Sequence, residues 1–267
     1  MAAAGGADHW QAHARQWSRI GGPLRPGAED VGIMRRILGP QPGLGLLLGV
    51  TAELSALSDN MVAVERDATM IARQWRPRGP GQSVRQGDWL ALPFGADSFA
   101  FAAGDGSLNM LRHPDGYGRL FEQLRVCLRD QGRLALRVFT AAHDNETPQA
   151  AADAALRGDI GSFHAFKWRL AMALVARAGQ PDIAVAAIHA AFDALLPDRA
   201  LLASRAGWAR ADIDTVDVYR DSPAVYSFPT LRQVRQAVPA GYAELGVFHG
   251  SYELAERCPI LAWSLHK

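Results

Sequence analysis

The chain has 267 residues, 49% of them hydrophobic and 21% charged, a composition that suits a globular protein of one to two domains and argues against disorder. Its 28 basic and 27 acidic side chains leave a formal charge of +1, without the basic excess of a dedicated nucleic-acid-binding domain. Cys127 and Cys258, the only cysteines, can neither hold zinc alone nor form a disulfide framework, which points to a reducing, cytoplasmic setting.

The first ten residues carry neither the basic nor the apolar region of a secretory signal. No apolar run approaches the ~18 residues of a membrane span, so no membrane association is expected. Trp10, His13 or Ala14, and Trp17 recur at helical spacing and predict a short helix with an aromatic face, either core packing or part of a lid. Gly21, Gly22, Pro23 and Pro26 end it. Asp30 is a candidate N-cap for a helix reaching Leu38, with Val31, Met34, Ile37 and Leu38 inward. Residues 1–39 thus read as a helical arm or lid.

Residues 44–50 are continuously apolar and too short for a helix, as in a strand buried on both faces. Thr51 is placed to cap a very short helix through Leu57. A second strand runs from Met61 to Glu65, and Asp67 or Thr69 opens a helix through Trp75. A third strand starts at Val84 and stops at Gly87-Asp88; a fourth covers 99–103 and ends at Gly104-Asp105-Gly106. Asp115 is a candidate cap for a helix with Leu120, Phe121, Leu124, Cys127 and Leu128 on one face, and a fifth strand covers 132–139. Cys127 on that face reads as inert core.

The alternation then pauses. From Thr147-Pro148, an N-cap followed by proline at the first helical position, to about Ala209 the pattern is helical. Phe163, Phe166, Trp168 and Met172 either line an apolar pocket there, pack the segment onto the rest, or form a dimer contact. Residues 242–248 and 260–265 read as an antiparallel pair. The expected fold class is α/β: a doubly wound, mostly parallel, seven-stranded Rossmann-like sheet with an antiparallel last strand and a helical insertion. Residues 40–139 and 216–267 would form the sheet domain and residues 140–215 a substrate cap.

Ligands of open α/β sheets bind at the carboxyl ends of the strands. The informative residues are therefore Gly49-Val50-Thr51, Glu65-Arg66, Gly87-Asp88-Trp89 and Gly104-Asp105-Gly106-Ser107. Glu65 either accepts hydrogen bonds from two ribose hydroxyls or faces water. Asp88 either receives an adenine amino group, with Trp89 or Met70 against the ring, or closes an Asx turn. Gly104 and Gly106 permit close backbone approach or supply a turn. Their order at successive strand ends argues for an adenosine-bearing cofactor. Gly49-Val50-Thr51-Ala52-Glu53-Leu54 lacks the Gly-x-Gly-x-x-Gly of nicotinamide enzymes. With lysine only at 167 and 267 there is no phosphate-binding Gly-x-x-x-x-Gly-Lys loop, and no Gly-x-Ser-x-Gly elbow is present. His9 and His13 lack the glutamate and third ligand of a zinc-protease helix, so no metal is expected.

Leu46-Leu47-Leu48-Gly49, Val62-Ala63-Val64-Glu65, Gly87-Asp88-Trp89-Leu90-Ala91-Leu92-Pro93-Phe94 and Asp97-Ser98-Phe99 together resemble the class I S-adenosylmethionine-dependent methyltransferases. The helix, turn and fifth strand over 124–134 and the antiparallel end fit the same family. The resemblance implies S-adenosylmethionine as cofactor. It also implies cofactor contacts at Gly49, Val50, Thr51, Glu65, Arg66, Met70, Gly87, Asp88, Trp89, Gly104, Asp105 and Gly106. The family's glycine loop is altered here: its acid and later glycines are replaced by Leu47, Thr51 and Glu53. Arg25 is either the substitute clamp for the cofactor's carboxylate or a surface arginine. A hydroxyl acceptor needs a base, for which His143 and His113 are candidates and polar loop positions the alternative. The implied function is methyl transfer to a small molecule, with a homodimer possible; the alternative is a degenerate, methyltransferase-like binding or regulatory module without catalysis.

Overall fold

The computed structural model describes residues 11, 15–40, 43–141 and 146–267. Helix α1 spans Ala28–Leu38. Strands β1 (Gly45–Leu48), β2 (Met61–Glu65), β3 (Gln82–Gln86), β4 (Phe99–Asp105) and β5 (Leu128–Arg137) alternate with α2 (Ala68–Gln74) and α3 (Asp115–Cys127). The next stretch carries α4 (Pro148–Arg157), α5 (Phe163–Ala178), β6 (Asp182–Ala184), α6 (Val185–Leu195), α7 (Arg199–Ala206), α8 (Arg210–Ile213) and β7 (Val225–Ser227). Then α9 (Leu231–Ala237), β8 (Tyr242–Phe248) and β9 (Ile260–Leu265) close the chain.

The main sheet has seven strands in the order β3-β2-β1-β4-β5-β9-β8. Strands β1 to β5 run parallel, and β9 pairs antiparallel with both β5 and β8. Side chains alternate across a strand, so the apolar runs serve two faces at once. Leu46, Leu48, Val62, Val64, Leu134 and Leu136 pack with Leu120, Phe121 and Leu124 of α3 on one face. Leu47, Met61, Ala63, Ala103 and Ala135 pack with Met34 and Ile37 of α1 on the other. A third apolar cluster holds the inserted helices together and includes Phe163, Phe166, Phe192 and Trp208. Among the described residues no helix is long and apolar enough to cross a membrane.

Three local expectations change. Asp30 is not the N-cap of α1: Gly27 is, and Asp30 sits three residues inside, accepting from the Gly27 amide at 2.8 Å. Asp115 is the first helical residue of α3 rather than its cap. The segment expected to be wholly helical contains β6, which pairs with β7 as a separate two-stranded sheet. Both strands are three residues long, below the length at which alternation is readable. Trp10, His9, His13 and His143 lie outside the described residues.

Candidate active site

The parallel pairing of β1, β2 and β4 brings three strand ends side by side. Gly49 leaves β1 with φ of 98°, in the half of backbone space that side chains disfavour. A Cβ there would point at the Trp89 ring and Glu65, 3.6 and 3.8 Å away. Its absence keeps the opening between those two residues clear. Val50 and Thr51 follow without positive φ, so this turn needs glycine once. Thr51 caps the 3₁₀ turn Ala52–Leu57 through position alone, with no side-chain bond.

Glu65 ends β2 half-buried, with Oε1 accepting from the Asp67 amide at 2.9 Å. Burial pushes its carboxyl above the usual range, and the amides of Asp67 and Arg66 oppose this. Asp67 then caps α2 by accepting from the Met70 amide at 2.8 Å, which seats Met70 against the cavity. Trp89 donates from Nε1 to the Val64 carbonyl at 2.7 Å, which anchors its ring beside Glu65. Asp88 Oδ1 accepts from the Leu90 amide at 2.9 Å, so the Asx-turn reading holds for that oxygen.

Two cavities meet here. One is bounded by Glu65, Arg66, Gly87, Asp88, Trp89, Met110 and Leu111. The other runs from Glu65, Trp89, Met70 and Gly49 past Val50, Thr51, Asp105 and Gly106 into a chamber walled by Met110, Phe139, Trp168, Tyr219 and Tyr226. Glu65, Trp89 and Met110 belong to both. All the sequence-named cofactor residues therefore line one cavity or the other, except Gly104. That residue is fully inside the sheet; a Cβ would strike Ser107 Oγ and crowd Leu136 and Leu48, so packing is what requires glycine there. Gly106 does line the chamber, with φ of 63° and Phe139 beside it.

His113 is placed elsewhere. Its ring packs edge-on against Tyr117 and pairs through Nε2 with the Gln233 carbonyl at 3.2 Å, away from both cavities. It is therefore not placed to act as a base in the chamber. Among the described lining residues there is no histidine. Of the four aromatic and methionine positions proposed for a pocket, Trp168 lines the chamber, while Phe163, Phe166 and Met172 belong to the insertion's core.

Sequence reading missed the groups that hold the chamber in place. Arg137, at the end of β5, has no solvent exposure and donates to Asp105 at 2.6 Å, to the Pro23 carbonyl at 2.9 Å and to Tyr252 at 3.1 Å. Asp30 lies 3.8 Å from the same guanidinium. Burial pushes the Asp105 carboxyl up, and Arg137 opposes it. The one signal was an arginine between Leu136 and Val138, in the apolar second half of the strand. Asn109 is a second clamp: its amide nitrogen donates to the carbonyls of Phe139 and Ser227 at 2.7 and 2.6 Å, and its oxygen accepts from Phe139 N at 2.9 Å. It ties the chain just past β5 to β7, and Phe139 and Tyr226 both pack on Trp168.

The arm contributes Trp17, Ile20 and Leu24 to the chamber wall. Arg25 stands over the Trp17 ring, 5.4 Å from its centre, and forms an ion pair with Glu53. Both residues also line a separate, more open cleft with Asp30, Tyr252 and Glu253. Arg25 is thus placed at the altered glycine loop rather than on open surface.

No family model matches the chain, and no curated protein matches it in sequence. Solved structures do. A putative Zn-dependent alcohol dehydrogenase from Rhodobacter sphaeroides superposes with a TM-score of 0.62 at 12% identity, over 99% of this chain and 100% of that one. The N-methyltransferase NodS from Bradyrhizobium japonicum WM9, in complex with S-adenosyl-L-homocysteine, gives 0.54 at 10% identity, over 97% and 100%. A SAM-dependent methyltransferase from Methanosarcina mazei gives 0.53 at 10% identity, over 91% and 99%. At these identities the likeness shows the fold, which is that of the class I S-adenosylmethionine-dependent methyltransferases. Among the described residues no group of three His, Cys, Asp or Glu side chains is placed to hold a metal ion.

Proposed function

We propose that the chain transfers a methyl group from S-adenosylmethionine to a small-molecule acceptor. The observation that carries this reading is the convergence of Glu65, Asp88 and Trp89 on adjoining cavities at the carboxyl edge of a methyltransferase-type sheet. Glu65 would take the ribose hydroxyls, since a carboxylate offers acceptors only. Asp88, Gly87 and Arg66 would border the adenine, with Trp89 between the base and the sugar. Val50, Thr51, Asp105 and Gly106 would flank the chain that leads to sulfur. The opening left at Gly49 fits such a ligand, because the added carbon of an alanine would stand between Trp89 and Glu65.

When bound, the cofactor supplies an electrophilic methyl group on a sulfonium; the protein supplies position and a dry site. The chamber walls Phe139, Trp168, Tyr219 and Tyr226 would exclude water and hold the acceptor in line. Thr51 and Glu53 in place of loop glycines favour the alternative of a methyltransferase-like module that does not catalyse. Calorimetric titration with S-adenosylhomocysteine separates the two. Saturable binding is expected; none at millimolar ligand would overturn the enzyme reading.

A further inference from the structure

The chamber's rings share a feature that selects a class of acceptor. Trp17, Phe139 and Tyr219 all line it, and each already has a basic side chain over its ring. Arg25 lies 5.4 Å from the Trp17 centre, Arg137 5.0 Å from Phe139, and Lys167 4.7 Å from Tyr219. Arg137 is paired with Asp105 and Arg25 with Glu53, so these two cations are already balanced by acids, and Glu65 lines the same chamber. Aromatic cages bind ammonium groups when their faces are available and no other cation competes. Each of the three rings already has a basic group over it, so a ligand's ammonium group would gain less from them.

A neutral ring meets the opposite situation. The walls are arranged edge to face, with Phe139 and Trp168 centred 5.2 Å apart at 61° and Trp168 and Tyr226 5.8 Å apart at 88°. Walls arranged in this way suit a further ring in the same edge-to-face mode, and rings with a basic group over them favour an electron-rich partner. Trp168 adds a polar requirement. Its indole Nε1 is buried and has no hydrogen-bond partner among the described residues. A buried donor without an acceptor is costly, and an oxygen on a ligand in the chamber would relieve it.

We infer that the chamber takes a planar, electron-rich aromatic molecule bearing a hydrogen-bond-accepting oxygen, and not an alkylammonium compound. This rests on the proposed function in treating the occupant as the methyl acceptor. The binding preference itself is independent of the cofactor.

The test is calorimetric titration of the full chain, with and without S-adenosylhomocysteine, using three probes. They are 2-naphthol, its saturated analogue decahydro-2-naphthol, and cyclohexylmethylamine as the cation. Binding of 2-naphthol is expected to be about tenfold or more tighter than that of either other probe. Trp168→Phe keeps a ring and removes the donor. It should weaken 2-naphthol about tenfold while leaving naphthalene unchanged. The variant's melting temperature and its S-adenosylhomocysteine affinity serve as controls on folding. Equal affinity for the saturated analogue, tighter binding of the amine, no binding of 2-naphthol, or an unchanged Trp168→Phe affinity would each overturn the inference. Preference for 2-naphthol without any binding of S-adenosylhomocysteine would uphold it and overturn the cofactor reading alone.

Discussion

Arg137 and Asp105, the last residues of the neighbouring strands β5 and β4, meet over 2.6 Å with the guanidinium wholly out of solvent. Removing one partner of such a pair strands the other charge in a low-dielectric interior. Arg137→Met is expected to cost about 3–5 kcal/mol in urea unfolding. The double variant Arg137→Met/Asp105→Leu should recover part of that loss. Equal stability of the single variant and the native chain would show that the pair does not hold the strand ends.

With Glu65 in its proposed place at the ribose, the cofactor's affinity should depend on pH. Burial raises its pKa from 4.5, so its proton is taken up at a higher pH than an exposed glutamate requires. The ribose needs the ionised form as acceptor. Affinity for S-adenosylhomocysteine should therefore be full at neutral pH and fall as pH drops through that raised pKa. Glu65→Gln should flatten the profile and weaken neutral-pH binding by roughly 1–3 kcal/mol. Parallel titrations of both proteins across mildly acidic pH would check it.

Gly49→Ala should act twice. The positive φ of 98° strains any side chain, by roughly 1–2 kcal/mol, and the new methyl enters the gap between Trp89 and Glu65. Thermal unfolding would report the first effect and calorimetry the second. Loss of stability with unchanged S-adenosylhomocysteine affinity would show that the gap is not used by ligand.

Arg25 and Glu53 together present opposite charges where the family's loop glycines are missing. Under the proposed function their match would be the amino-acid end of the cofactor, which 5′-methylthioadenosine lacks. Arg25→Gln and Glu53→Gln are expected to weaken S-adenosylhomocysteine about tenfold and leave 5′-methylthioadenosine unchanged, the scale of one charged hydrogen bond. Equal losses for both ligands would place the pair's effect in folding instead.

Lys167 is 1% exposed in the insertion core, and burial lowers its pKa from 10.5 to about 7. The unfolded chain holds that proton up to its own higher pKa, so stability should climb with pH between about 7 and 10.5. Lys167→Met should raise the melting temperature near pH 7 and remove that climb. The pH dependence of thermal unfolding for the two proteins checks the sign.

Strands β1, β2 and β4 were readable because both of their faces are buried, which leaves short apolar runs; β3, with the sequence QSVRQ and most of its side chains at least partly exposed, has no such run. Glu65 stood out as the polar residue that ends such a run, and Asp88 and Trp89 because they follow Gly87 just past β3. The chamber was not readable in this way. Trp168, Tyr219 and Tyr226 look like any aromatic residues of a helical core; the pairing of β6 with β7 holds Tyr226, which packs on Trp168 and Tyr219, and Trp168 packs on Phe139. Asn109 and Arg137 carry no local pattern, because their partners lie 30 or more residues away in the chain. Gly104 was misplaced because a glycine at a strand end has two physical uses, and only the Ser107 neighbour distinguishes them.

The ladder of Asp182, Ile183 and Ala184 with Ser227, Tyr226 and Val225 closes residues 185–224 into an excursion whose two ends are adjacent. An excursion of another length could be spliced between the same two points at little entropic cost, since doubling a loop adds only about 0.6 kcal/mol. None of the main sheet's pairings would be touched. Under the proposed function, preference for one acceptor over another could then drift, or be engineered, while the residues proposed for the nucleoside stay in place.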